Sequence, residues 1–282
     1  MERVNVWNTY DLERQKSCFT FAEDYRKFIS ENKTERECVD SFVNAAEDAG
    51  YVELSRAIEE AEKSGKKLQP GDKVYMTWMN KSMVLFRLGT RPMEEGVNIL
   101  GAHIDSPRMD VKQNPLYEKG GYGYLDTHYY GGIKKYQFVA RPLAIHGVIV
   151  KKDGETVVLN VGEDADDPVF FISDLLIHLA QDQMQKKAGD VIEGEALNLI
   201  VGGKPVSGEE KDKVKAGVLA YLKENYGIEE EDFLSAELEV VPAGRCRELG
   251  FDRSMIMGYG HDDRVCAYAQ VEAMMNMDTI PE

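Results

Sequence analysis

Apolar residues recur along this chain at two different spacings, and the change between them divides it. Between residues 17 and 32, Phe19, Tyr25, Phe28 and Ile29 suit one face of an amphipathic helix. A second helix is predicted from Thr34, because Thr34-Glu35-Arg36-Glu37 is a capping box. In such a box the threonine and the glutamate three residues later satisfy each other's exposed backbone amides. Val39, Phe42, Val43 and Ala46 continue the helical period, and Gly50 stands where a helix stops. Residues 73–78 and 82–88 read as strands, with Met79-Asn80-Lys81 as the hairpin between them. Asn98-Ile99-Leu100-Gly101-Ala102 follows, a short apolar run bounded by turn-formers. That is the pattern of a strand buried on both faces.

Beyond residue 112 strands dominate. Asn114-Pro115 is expected to interrupt regular structure, and Gly120-Gly121-Tyr122-Gly123-Tyr124 reads as an extended loop. Its glycines lack the spacing and the strand-turn-helix context of a phosphate cradle. Residues 136–143 and 144–150 read as strands, and Lys151-Lys152-Asp153-Gly154 turns the chain into another at 156–161. Glu163-Asp164-Ala165-Asp166-Asp167 lacks the central glycine and terminal glutamate of a calcium loop and reads as a solvated turn. A helix over 172–183 would place Leu175, Leu176, Leu179 and Met184 in a core. A strand follows at 196–201, then a helix at 209–225 burying Val214, Val218, Leu219 and Leu222. Residues 234–241 alternate apolar and acidic side chains, the mark of a strand with one wet face. A short strand at 254–257 enters Gly258-Tyr259-Gly260-His261-Asp262-Asp263-Arg264 and a closing helix through Val265, Tyr268, Ala269 and Met275. The chain therefore reads as an α/β core over residues 1–112, a strand-rich insertion over 113–253, and a return to the core over 254–282.

Composition narrows the partners. The 43% hydrophobic and 30% charged residues are an ordinary globular balance. A net charge of -16 repels phosphate backbones and anionic lipid, so neither nucleic acid nor a membrane surface is an expected partner. No run approaches the ~20 apolar residues of a membrane span. The N-terminus lacks the apolar core of a signal peptide. The four cysteines form no C-x-x-C pair and read as reduced thiols, so the expected location is cytoplasmic.

Candidate chemistry is sparse. No G-x-S-x-G elbow supports a serine nucleophile, and no H-E-x-x-H is present. Of the five histidines, His146 and His178 sit inside apolar stretches and read as satisfied structural residues. His128 lies in the tyrosine-rich loop, where an imidazole could reach a substrate or face water. His261 directly precedes Asp262, and neighbours in sequence rarely converge on one ion. His103 and Asp105 end the strand predicted at 98–102. Residues two apart look the same way along an extended chain. That offset suits a metal-binding histidine and the carboxylate that orients it; a strand end with satisfied polar groups is the alternative. Asp262 and Asp263 stand at a strand-to-helix turn, where either could cap the helix. Taken with His103, an aspartate there could instead share a site above the sheet, bridging two metal ions ~3.5–4 Å apart that activate a water.

These segments, in their order, carry a family resemblance. Gly101-Ala102-His103-Ile104-Asp105-Ser106-Pro107 resembles the "A-H-x-D-S-P" metal strand of the M18 metallo-aminopeptidases, the aspartyl aminopeptidases and their bacterial relatives. Tyr130-Gly131-Gly132-Ile133, with Arg141-Pro142-Leu143 and Gly147, is similar to their "Y-G-G-G-I…R-x-L…G" segment. Leu176-Ile177-His178-Leu179 resembles their "L-A-I-H-L" helix, and His261-Asp262-Asp263-Arg264 takes the place of their "L-D-N/D" turn. The resemblance covers essentially the whole chain. It implies an α/β fold, namely a mixed-sheet zinc-peptidase core of the phosphorylase/hydrolase-like kind, with an inserted β-rich dimerisation domain. It further implies that His103 ligates one metal, that Asp105 orients it as a catalytic residue, and that Asp262 bridges two ions. Zinc is the expected metal, with other divalent ions as alternatives, and the peptide bond after Asp262 is expected to be cis. Peptides would be the substrates, the insertion would build a homo-oligomer, and His128 would be a candidate for contacting substrate in a neighbour's site.

Two departures qualify these implications. Members usually carry a basic residue shortly after the Ser-Pro, where this chain has Arg108-Met109-Asp110-Val111-Lys112. Members also run further, supplying a Glu-Glu pair, another carboxylate and a final histidine, whereas only Asp263, Glu272, Asp278 and Glu282 follow Asp262 here. The expectation is an aminopeptidase whose site is incomplete in this chain. The competing expectation is a non-catalytic assembly or binding module related to it.

Overall fold

Asp11 starts the first helix, α1 (Leu12–Glu31), by accepting the Arg14 amide at 2.8 Å, and Tyr25, Phe28 and Ile29 form its buried face. The computed structural model describes residues 3–282, in two units: the residues up to Asp105 together with Cys246–Glu282, and Ser106–Arg245. In the first unit the predicted capping box opens α2 (Glu35–Asp48). The Glu37 amide donates to the Thr34 hydroxyl at 3.3 Å, and the Thr34 amide donates to the Glu37 carboxylate at 3.0 Å. β1 (Val52–Glu53) and α3 (Leu54–Ser64), neither of them predicted, lead into β2 (Lys73–Trp78) and β3 (Ser82–Arg87). β2 pairs parallel with β1 and antiparallel with β3, giving a small mixed sheet. Met79 and Asn80 make the predicted turn with positive φ.

The strand expected over 98–102 is not formed. These residues are unpaired, and Ile99 and Leu100 are 83% and 59% exposed. The run has a strand's pattern, but no strand lies beside it among the described residues, and pairing rather than pattern makes a strand.

The second unit is one six-stranded antiparallel sheet. Its strands are β4 (Arg108–Lys119), β5 (Tyr122–Tyr130), β6 (Leu143–Val150), β7 (Thr156–Val161), β8 (Leu199–Gly202) and, after α4 (Lys213–Tyr226), β9 (Ala236–Pro242), in the order β7-β6-β9-β4-β5-β8. Several expectations are corrected here. Asn114-Pro115 does not end β4; a register shift between Val111 and Leu116 absorbs it, since a bulge tolerates the missing amide donor. Gly120 and Gly121 are a tight turn rather than a loop, because both have positive φ and so let β4 fold back on β5. Residues 136–143 bury Phe138 and Val139 in a loop instead of a strand. The helix expected over 172–183 is replaced by short 3-10 turns at Ile177–Leu179 and Gln183–Gln185. Leu175, Leu176, Leu179 and Met184 are therefore exposed, between 55% and 71%, and His178 with them. β9 has no wet face: Glu239 is buried and meets Arg108 Nε at 3.0 Å. His146 is buried as expected, its Nε2 3.1 Å from a Glu163 carboxylate oxygen. The compact unit runs Ser106–Arg245, and the pairing of β4 with β5 begins at Arg108. Its core is built on Met109, Leu143, Ile149, Leu197 and Val240.

The chain then re-enters the first unit through a hairpin, β10 (Arg247–Leu249) with β11 (Met255–Met257), and closes with α5 (His261–Met275). Tyr25, Phe28, Phe42, Cys246 and Tyr268 share this unit's main core, with the Phe28 and Phe42 rings stacked 4.8 Å apart.

Candidate metal centre

His103 and Asp105 sit on an extended segment held locally on both sides. Before them, the Gly101 carbonyl accepts a hydrogen bond from the Gln270 side chain of α5 at 3.2 Å. Between them, Ile104 packs on the core that contains Tyr25 and Phe28. His103 and Asp105 are left facing out together. The His103 Nδ1 lies 3.0 Å from the Asp105 carbonyl oxygen and 3.1 Å from its carboxylate. The other ring nitrogen, Nε2, lies 3.2 Å from Asp262 Oδ1, bringing together groups 159 residues apart in the chain.

Asp262 stands at the start of α5, where Asp262 and Asp263 depart from helical angles. The bond between them is cis. The Asp262 side chain is almost fully exposed at 95%, and it turns to His103.

Electrostatics agree with this geometry. Partial desolvation works against a charged His103, but the Asp105 carbonyl, the Asp105 charge and the Asp262 carboxylate together outweigh it and raise the His103 pKa. Carboxylate and carbonyl oxygens only accept, so both ring nitrogens must carry protons to satisfy both sides. A cation could replace the Nε2 proton. Two donors bound to one tetrahedral zinc at 2.0–2.2 Å stand roughly 3.4 Å apart, close to the 3.2 Å seen between Nε2 and Oδ1. The donors fit such an ion in chemistry and spacing, and Asp105 fixes the tautomer that leaves Nε2 to bind it. They supply two ligands. Among the described residues no group of three or more His, Cys, Asp or Glu is placed to hold a metal.

The other expected residues fall elsewhere. His128 is exposed on β5 in the second unit, opposite Asp110. His261 turns away from ligation: its Nδ1 lies 2.8 Å from the Tyr25 hydroxyl. Burial, helped by the positive charge of Arg264, lowers the His261 pKa, and burial raises that of Tyr25. Sequence reading missed Tyr25 and Arg264 as neighbours of the site. Tyr25 lies 236 residues from its partner, and it reads only as one apolar position on a helical face. Arg264, adjacent to the Asp262-Asp263 pair, was the one available signal.

The chain thus combines an α/β unit, in which His103 meets two carboxylates, with an antiparallel sheet inserted into it along the sequence. The model of the aminopeptidase I zinc metalloproteases (M18) matches residues 28–281, and the chain belongs to that family. It is 55% identical over 277 residues to a probable M18 family aminopeptidase 1 of Clostridium acetobutylicum, covering 98% of this chain and 59% of that protein. It is 44% identical over 282 residues to the corresponding protein of Borrelia garinii subsp. bavariensis, covering 100% of this chain and 60% of that one. The crystal structure of aminopeptidase I from Clostridium acetobutylicum superposes with a TM-score of 0.88 at 53% identity, covering 100% of this chain and 61% of that one. The chain thus spans about 60% of the length of these relatives. A more distant fold relative, at TM-score 0.66 and 20% identity, is the S. cerevesiae mApe1 dodecamer.

Proposed function

We propose that this chain carries part of the active site of a metal-dependent aminopeptidase that removes the N-terminal residue of peptides. The observation that carries this reading is the alignment of Asp105, His103 and Asp262 in one contact chain. In this reading His103 and Asp262 would hold the metal, and Asp262 would be the ligand available to a second ion. Bound divalent ions, zinc foremost, would lower the pKa of a water and polarise the scissile carbonyl. Asp105 keeps the His103 proton on Nδ1 and fixes the ring's direction. The remaining ligands and the general base are proposed to lie in the part of the relatives' length that this chain does not span. His128 is proposed as a substrate contact. Zinc titration against an aminoacyl chromogenic substrate tests the reading, using protein that includes the downstream segment. Zinc-dependent release of the chromophore is expected, with Asp262→Asn lowering zinc affinity on the order of 100-fold. Hydrolysis that is absent in that complete preparation sinks the enzymatic reading.

The second unit is proposed to build a homo-oligomer. What supports this is its outward display of Leu175, Leu176, Ile177 and Leu179, each more than half exposed, since exposed clusters of large apolar side chains mark interaction surfaces. The same display favours the second reading, a non-catalytic assembly module. Oligomers that form with no bound zinc, together with no hydrolysis, would support the module.

A further inference from the structure

Asp262 is almost fully exposed, so its placement depends on what fixes the backbone turn beneath it. That turn is tied to α1 on both sides. On the N-terminal side, the Tyr25 hydroxyl meets His261 Nδ1 at 2.8 Å, and Tyr25 itself is buried at 6% exposure. On the C-terminal side, Arg264 Nη1 donates to the Asn32 carbonyl, the residue that caps α1. A third tie holds the chain leading in: the Cys246 amide donates to Ser30 Oγ at 3.0 Å, and Cys246 Sγ donates to the Met257 carbonyl at 3.1 Å.

Arg264 is the unusual member. It is 0% exposed. Its Nε and Nη2 have no hydrogen-bond partner among the described residues, and its guanidinium lies 5.2 Å from the Tyr259 ring centre. A Cβ at Gly260, where φ is +86°, would overlap the guanidinium. A buried cation held by one carbonyl and one ring face costs more than an apolar residue filling the same space. Packing alone does not account for it. An arginine here does what a leucine could not: it reaches from the first turn of α5 to the end of α1 and locks the two together.

We propose that Tyr25 and Arg264 are positioning residues, bracing the Asp262 turn against α1 so that the Asp262 carboxylate is held where His103 Nε2 meets it. The proposal rests on the reading of His103 and Asp262 as metal ligands and adds the part of the chain that presents one of them. Neither brace residue touches the ion; each acts through the backbone on either side of Asp262. Groups that orient a ligand in this way typically govern about 10- to 100-fold in metal affinity.

The test is zinc affinity of protein that includes the downstream segment, measured by competition with a chromogenic chelator, with the visible spectrum of bound Co²⁺ and the metal-free melting temperature recorded alongside. Tyr25→Phe removes one hydroxyl and keeps the ring, so it is the cleanest variant. It is expected to weaken zinc binding about tenfold and to alter the Co²⁺ spectrum while the metal-free melt stays close to that of the parent. Arg264→Met is expected to weaken binding at least as much, and Arg264→Lys, which can still donate to Asn32, to recover most of it. Should Arg264→Met fail to fold, Tyr25→Phe decides the matter. Parent-like zinc affinity and Co²⁺ spectrum in Tyr25→Phe, with Asp262→Asn strongly impaired, overturns the brace and leaves the ligand assignment standing. Unchanged binding in Asp262→Asn, or no binding by the parent protein that includes the downstream segment, overturns the ligand assignment and the brace with it.

Discussion

His103 has only acceptors on both ring nitrogens, and that sets its response to pH. Its pKa is raised by the Asp105 carbonyl and carboxylate and by Asp262, against an opposing desolvation that is the largest single influence. The folded chain thus binds this proton more tightly than the unfolded chain does. The stabilisation it gives is complete below the ordinary histidine value of about 6.5 and is lost as pH rises through the folded value. A proton NMR titration of the metal-free chain should place the His103 midpoint above 6.5; a midpoint at or below it would contradict the contacts. Zinc must displace that proton, so zinc affinity should climb with pH up to the same midpoint. His-x-Asp and Asp-Asp each have an ordinary reading in the sequence, as a strand end and as a helix cap, and only the ordered family segments singled these residues out. The contacts behind them were not legible there. Tyr25 and His261 meet only after the chain has folded, and an aromatic residue on an amphipathic face carries no mark of a polar partner elsewhere.

Thr34 shows what local chemistry can specify by itself. Both halves of its capping box are present, and Thr34→Ala should cost about 1 kcal/mol, read as a lower urea midpoint with an unchanged slope. No change in midpoint would mean that packing of α2 alone sets its start. The Met79-Asn80 hairpin was equally legible, since two left-handed residues between alternating strands define the turn. The segment at 172–183 was not, and the reason is tertiary. Phe170 and Phe171 are bridged to Leu143 and Ile200, and the Ile172 carbonyl accepts the Ala140 amide at 3.0 Å. Gln183 then ties the loop across itself, donating to Asp174 at 2.8 Å and to the Val191 carbonyl at 3.2 Å. A chain committed to sheet bridges at its first residues, with Ile172 and Ala180 both buried, has too little free length for a helix of the expected size. Residues 98–102 failed for the opposite reason: their pattern is that of a strand, and no partner strand lies alongside among the described residues.

The change of periodicity falls near residue 112, whereas β4 already starts at Arg108, within a stretch that reads as part of the first core. Each unit leaves apolar surface open, and the two surfaces differ in kind. Around Ile99 and Leu100 no backbone amide donates to another backbone group among the described residues, so that surface calls for strand pairing. In the second unit the turns are satisfied internally, with Leu179 donating to Leu176 and Met184 to Ala180, both at 2.8 Å. What that surface mainly presents is side chains, which suits contact between two folded copies. Burying a leucine contributes about 1.5–3 kcal/mol. Leu176→Asp with Leu179→Asp should therefore weaken self-association about a hundredfold or more, read by sedimentation velocity. Each copy carries a net charge of -16, so like charges oppose the contact, and added salt should strengthen association by screening them. If the double variant associates as the parent does while Ile99→Asp abolishes association, the contact is the open backbone of the first unit and the oligomer reading of the second is wrong.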